Sequence, residues 1–208
     1  MSHKKIKDFQ VIITILLALF FWYLTFSVQL LNFWVSMSIA ATTLSILAIY
    51  WGGFPLSKKD ITWRGLFIGV GSAIILYFIF WLGNIFSQLL FNFAGSQISS
   101  IYHIRTQSDI LIISLVLLFI TSPGEEIFWR NFLQKWAMEK FGEFPGWLLG
   151  SLIYAGVHIS SGNFMLTMAA LVAGLFWGFI YMYEKNLFPL IISHALWTVG
   201  IFILFPVM

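Results

Sequence analysis

No cysteine occurs among the 208 residues. That excludes a thiol nucleophile, thiolate metal ligands and disulfides, and says nothing further about compartment. Charge is nearly as scarce, with 9% charged residues against 60% hydrophobic and 19% aromatic, and the mean hydropathy is +0.93. So little charge excludes a soluble globular domain and implies an all-α polytopic membrane protein. The net charge of +3 is too small for a nucleic-acid surface, so no nucleic-acid partner is expected. No Pro/Gly/Ser-rich linker, low-complexity run or fixed-period repeat divides the chain, and one membrane domain over residues 1–208 is the simplest organisation.

What is present is a series of long apolar runs. Lys4, Lys5 and Lys7 before the run from Val11 imitate a secretory signal, but no small-residue cleavage site follows, so an uncleaved first span is expected. The apolar stretch from Phe9 to Trp51 would measure about 65 Å as one helix, against a hydrocarbon core of about 30 Å. It must therefore turn back, and Gln29 and Asn32 mark the hairpin between spans one and two. Gly52, Gly53 and Pro55 end the second. Span three runs from about Trp63 to Phe91 and carries Asn84, Gln88 and Asn92 at four-residue spacing, a stripe expected to bond a neighbouring helix. Residues 94–108 read as a polar loop, and span four starts near Asp109.

Later turns at 141–145, 160–163 and 184–186 delimit spans five, six and seven, giving about seven transmembrane helices in one bundle. With a cytoplasmic N-terminus, this count puts Lys4, Lys5, Lys7, Lys58, Lys59, Arg64, Arg130, Lys135, Lys140 and Lys185 on or towards the cytoplasmic side. Only Arg105 is left outside. The expected location is thus an integral, multi-pass position in the plasma membrane.

The stretch from Ser122 to Arg130 concentrates chemistry in a chain that has little. Glu125 and Glu126 precede Arg130 by five and four residues, so on a helix at least one carboxylate reaches the guanidinium and the other is free to react. Ser122-x-x-Glu125 also reads as a capping box with Pro123 at the first helical position. If the helix instead runs through, Pro123 places a kink or break beside the carboxylates. Beyond Arg130, polar and apolar residues alternate as at a membrane surface.

Two of the four histidines lie deep in apolar sequence. His158 ends the series Gly146, Gly150, Tyr154, His158, one face of a helix on which the glycines admit a neighbouring backbone. His194 is followed one turn later by Thr198 on the same side. Counting 1.5 Å per residue from the turns, Glu125 and His158 share a depth of about 20 to 24 Å, whereas His194 reaches only about 12 Å. Tilt or the Pro189 end must supply the difference.

Glu125-Glu126-x-x-x-Arg130, Tyr154-x-x-x-His158 and His194-x-x-x-Thr198, in this order on successive helices, resemble the CPBP (CAAX-prenyl-protease and bacteriocin-processing, or Abi) intramembrane endopeptidases. The run from Tyr183 to Pro189 shares the likeness, which covers residues 122 to the last helix. Tyr154 stands where the family usually has Phe, and Thr198 where it usually has Asn.

The resemblance implies a catalytic core over 109–208, with residues 1–108 as N-terminal scaffold helices and the catalytic residues on the last four helices. It implies hydrolysis of a peptide bond in a membrane protein or peptide at the lipid bilayer. In those terms Glu125 is the general base on water, and His158 shares that water or holds a metal. Glu126 pairs with Arg130, and His194 and Thr198 steady the oxyanion. Glu125, His158 and His194 form the candidate zinc set, although no HExxH motif occurs and a metal-free, glutamate-activated water serves equally. Two alternatives remain: a non-catalytic scaffold or bacteriocin self-immunity protein, for which Thr198 is the main support, and a small transporter relaying protons or ions. Substrate identity and oligomeric state are not specified by these residues.

Overall fold

The computed structural model describes residues 6–208, so the topology signals Lys4 and Lys5 lie outside the described residues. Eight helices of ten or more residues, a few short 3-10 turns and no strand occur among the described residues. They are α1 (Asp8–Val28), α2 (Phe33–Gly52), α3 (Trp63–Leu90), α4 (Ala94–His103), α5 (Ile110–Phe141), α6 (Glu143–Val157), α7 (Phe164–Glu184) and α8 (Phe188–Leu204). Five of them, α1, α2, α3, α5 and α7, are long and apolar enough to cross a membrane. α6 and α8, where the fifth and seventh spans are expected, are shorter, about 23 and 26 Å long. The protein is an all-helical integral membrane protein.

Local chemistry sets the helix ends. Gln29 turns the first hairpin in the left-handed conformation at φ 53°, and the Asn32 carboxamide oxygen accepts from the Trp34 N–H to start α2. Gly53, at φ 89°, takes a backbone shape that side-chain-bearing residues avoid, and α2 stops there. Asp109 caps α5 through the Leu111 N–H, and Asn163 caps α7 through that of Leu166.

Polar contacts between turns sort into two groups, one at each end of the bundle. At one end Asp8 meets Lys140, Glu143 meets Lys185, Glu184 meets Arg64 through both oxygens, and Asn186 donates to the Asp60 carbonyl. At the other, Ser27 donates to the Ser160 carbonyl, Asn32 to that of Gln107, Asn163 to that of Gln97, and Arg105 to that of Phe202. The basic turns expected on one side are therefore neighbours, and Arg105 is at the opposite end. Exposed ion pairs of this kind contribute only about 0–1 kcal/mol each, so their value here is as markers of chain direction.

Three local expectations are corrected. Residues 94–108 are not a loop: Ala94, Gln97, Ile98 and Ile101 turn inward along α4, a short amphipathic helix whose Gln97 side chain accepts from the Met165 N–H. The Asn84–Gln88–Asn92 stripe bonds no neighbouring helix. Gln88 donates to Asn84 on the same helix at 2.8 Å, and Gln88 and Asn92 are exposed. Finally, no helix begins at Ser122 and none breaks at Pro123. α5 runs through, widened into π-type turns over Leu117–Thr121 and Glu126–Gln134, which absorb the missing proline donor.

Small residues bring the helices that carry the polar groups close together. A Cβ on Gly146 would lie 2.3 Å from the Met138 backbone nitrogen, and one on Gly150 3.1 Å from the Gln134 Cβ, so α6 lies directly on α5 as the glycine spacing requires. On the other side, a Cβ on Gly69 would meet Ile192 at 2.8 Å, which seats α8 on α3.

Candidate active site

Glu125 and Glu126 are successive residues of α5, so their side chains leave the helix about 100° apart and meet different neighbours. Glu125 faces α6, where its Oε2 accepts the Tyr154 hydroxyl at 2.8 Å, while Oε1 makes no hydrogen bond among the described residues. Glu126 faces α8, where its Oε1 lies 2.7 Å from His194 Nδ1. Arg130 is one turn further along α5, with Nη1 3.4 Å from the same Glu126 oxygen. His194 thus reaches the depth of the carboxylates despite the shorter count from its turn, and the one it meets is Glu126.

Aromatic faces enclose this charge. The Arg130 guanidinium sits 4.7 Å from the Tyr154 ring centroid and 5.6 Å from that of Trp177, both within cation–π range. Trp177 also stacks on His194 with centroids 3.9 Å apart, and its indole N–H donates to Ser193. Arg130 Nη1 and Nη2, Glu126 Oε2 and Ser122 Oγ are buried and lack a hydrogen-bond partner. They fall at 122, 126 and 130, one stripe of α5, and the Trp129 and Trp197 indole nitrogens are likewise buried without a partner. Each such atom costs about 1–3 kcal/mol while unmatched.

His158 is placed differently from expectation. Its Nδ1 is 2.8 Å from the Tyr154 carbonyl, and its Nε2 accepts the Trp22 indole N–H at 3.1 Å. Both ring nitrogens are engaged, so as placed none is left to share a water with Glu125. Thr198 differs too. Its hydroxyl donates to the His194 carbonyl within α8 at 2.8 Å, which occupies the single proton it could offer an oxyanion.

The expected residues nevertheless come together. Glu125, Glu126, Arg130, His158 and His194 join through Tyr154 and Trp177 into one buried cluster, with Thr198 one helical turn away. Sequence reasoning missed Trp22 and Trp177, since a tryptophan in an apolar run carries no spacing signal. Glu125, His158 and His194 retain 8%, 7% and 6% exposure. A cleft of about 760 Å³ opens at the charged end between Gly52, Asn131, Lys135, Glu139 and Tyr181, and its lining includes none of the three.

Among the described residues no three His, Asp or Glu side chains gather at metal-ligand spacing. His158 has no free nitrogen, so of the two histidines only His194, through Nε2, keeps one to offer a metal. As placed, Glu125, His158 and His194 do not fit a three-ligand zinc site, and no step below runs through a metal.

No match was found among curated proteins or among solved structures. Residues 106–200, which hold every member of the cluster except Trp22, match the family model described as type II CAAX prenyl endopeptidase Rce1-like, in agreement with the protease family that the motif order resembles.

Proposed function

We propose that this protein is an intramembrane endopeptidase that hydrolyses a peptide bond in a membrane protein or peptide, with Glu125 as the base that activates water. The observation that carries the proposal is the convergence of α5, α6 and α8 on one buried cluster: Glu125 with Tyr154, and Glu126 with His194. A transporter relay would string such groups along a path between the two ends, and convergence favours hydrolysis over that alternative.

Water on the free Oε1 of Glu125 gives up a proton to the carboxylate as its oxygen bonds to the peptide carbon, and the carbonyl becomes an oxyanion. An ionised Glu126 only accepts, so His194 Nδ1 carries a proton, and donation from Nε2 to the oxyanion requires the imidazolium form. Two carboxylates and two cations, Arg130 and His194, then leave the cluster neutral. Collapse of the tetrahedral carbon returns the Glu125 proton to the leaving amine, which frees an acid and an amine product.

In this proposal α6 and α8 complete seven crossings with the basic turns on the cytoplasmic side, in a plasma membrane. One observation favours the scaffold alternative, namely that the Thr198 proton is spent within its own helix. It also yields an expectation: Thr198→Val should fall well short of the roughly hundredfold loss in turnover that removing an oxyanion donor produces. A hundredfold loss at unchanged KM would restore Thr198 to the oxyanion. The proposal itself is tested by incubating purified protein in bilayers with membrane peptides, with and without a strong zinc chelator. Cleavage in both conditions is expected; cleavage abolished by the chelator and restored by zinc would reinstate the metal.

A further inference from the structure

Tyr154 presents its hydroxyl to Glu125 and its backbone carbonyl to His158, so one residue touches both groups. A carbonyl only accepts, and the proton between Tyr154 and His158 must therefore sit on Nδ1. In the neutral ring Nε2 is then a bare acceptor, and the Trp22 indole, which only donates, fills it at 3.1 Å. With Glu125 ionised, as the base role requires, every direction in the series follows: Trp22 donates to His158, His158 donates to the Tyr154 carbonyl, and the Tyr154 hydroxyl donates to Glu125. The rings are held as firmly as the protons. The Tyr154 ring meets Trp129 at 5.2 Å and His158 at 5.0 Å, both edge to face, and Trp22 meets Trp129 at 5.7 Å in the same way. Trp22 is fully buried, and it comes from α1, outside the segment that matches the protease family.

We infer that Tyr154 is a positioning residue for the Glu125 carboxylate, and that His158, fixed by Trp22 of the first helix, positions Tyr154 in turn. Occupying Oε2 holds the carboxyl group in one rotamer and turns Oε1 to the water. The inference rests on the proposed hydrolysis for its consequence but not for its geometry. It makes α1 part of the active site and gives His158 work that needs no free nitrogen.

The test compares wild type, Tyr154→Phe, Trp22→Phe and the double variant in bilayers; Tyr154→Phe deletes only the hydroxyl, whereas Trp22→Phe removes the indole N–H together with part of a buried ring. Tyr154→Phe is expected to lower kcat about ten- to a hundredfold, the range of one hydrogen bond to a charged group, with KM and melting temperature unchanged. Trp22→Phe should lower kcat less, and the double variant should be no worse than Tyr154→Phe alone, because both act through one chain of contacts. In parallel, infrared difference spectra assign the Glu125 carboxyl band by its loss in Glu125→Gln, and that band should shift in Tyr154→Phe whether or not peptide is present. An unshifted band with wild-type kcat overturns the inference, as does a loss of kcat matched by a loss of stability. If wild type cleaves nothing, the proposed hydrolysis falls and the band alone decides whether Tyr154 holds the carboxylate.

Discussion

Arg130→Ala is expected to cost about 3–5 kcal/mol of stability, the penalty for removing one partner of a buried ion pair, and with it most of the folded protein. Arg130 is 2% exposed and Glu126 is fully buried. Once the guanidinium is gone, Glu126 keeps only His194, and the Tyr154 and Trp177 rings lose the cation between them. Arg130→Met combined with Glu126→Gln should recover part of the loss, because no carboxylate charge is then left unpaired in a poorly hydrated place. Melting of detergent-purified variants checks both. If Arg130→Ala melts with wild type, the Glu126 pairing does not hold the helix bundle together.

Glu125→Gln should act in the opposite way, leaving the fold and removing the reaction. The amide oxygen can still accept the Tyr154 hydroxyl, so the one hydrogen bond that the Glu125 side chain makes among the described residues survives. What is lost is the ability to take a proton at neutral pH, and turnover should fall by about a hundred- to ten-thousandfold at unchanged melting temperature. Comparing initial rates and melting curves on the same preparations separates this from misfolding. A variant that unfolds would give Glu125 a structural role instead.

Features that depend on spacing within one helix were legible in the sequence. Four residues from Glu126 to Arg130 predict their pairing, and the spacing of Gly146, Gly150, Tyr154 and His158 predicts the face that α6 lays on α5. Contacts between distant segments were not. Trp22 reaches His158 across 136 residues, and nothing in a run of apolar neighbours distinguishes that indole from one facing lipid. Tyr154 in place of Phe reads as a conservative change, yet its hydroxyl is the one side-chain group bonded to Glu125 among the described residues. Polarity misled where it could be satisfied locally: Asn84 and Gln88 bond each other, and Thr198 bonds its own helix. Pro123 predicts a break, but a long helix packed on both sides widens rather than parts, and Ser45 of α2 adds a bond to the Gly124 carbonyl between the two widened segments.

The central claim, a water activated by Glu125 that cuts a peptide bond, is tested most directly by isotope incorporation. Purified wild-type protein and Glu125→Gln would be incubated in bilayers containing a library of transmembrane peptides, in water enriched in oxygen-18, and the products weighed by mass spectrometry. Fragments whose new C-terminal carboxylate carries one heavy oxygen are predicted for wild type and not for Glu125→Gln. Equal cleavage by the two proteins, or fragments without the label, would contradict it.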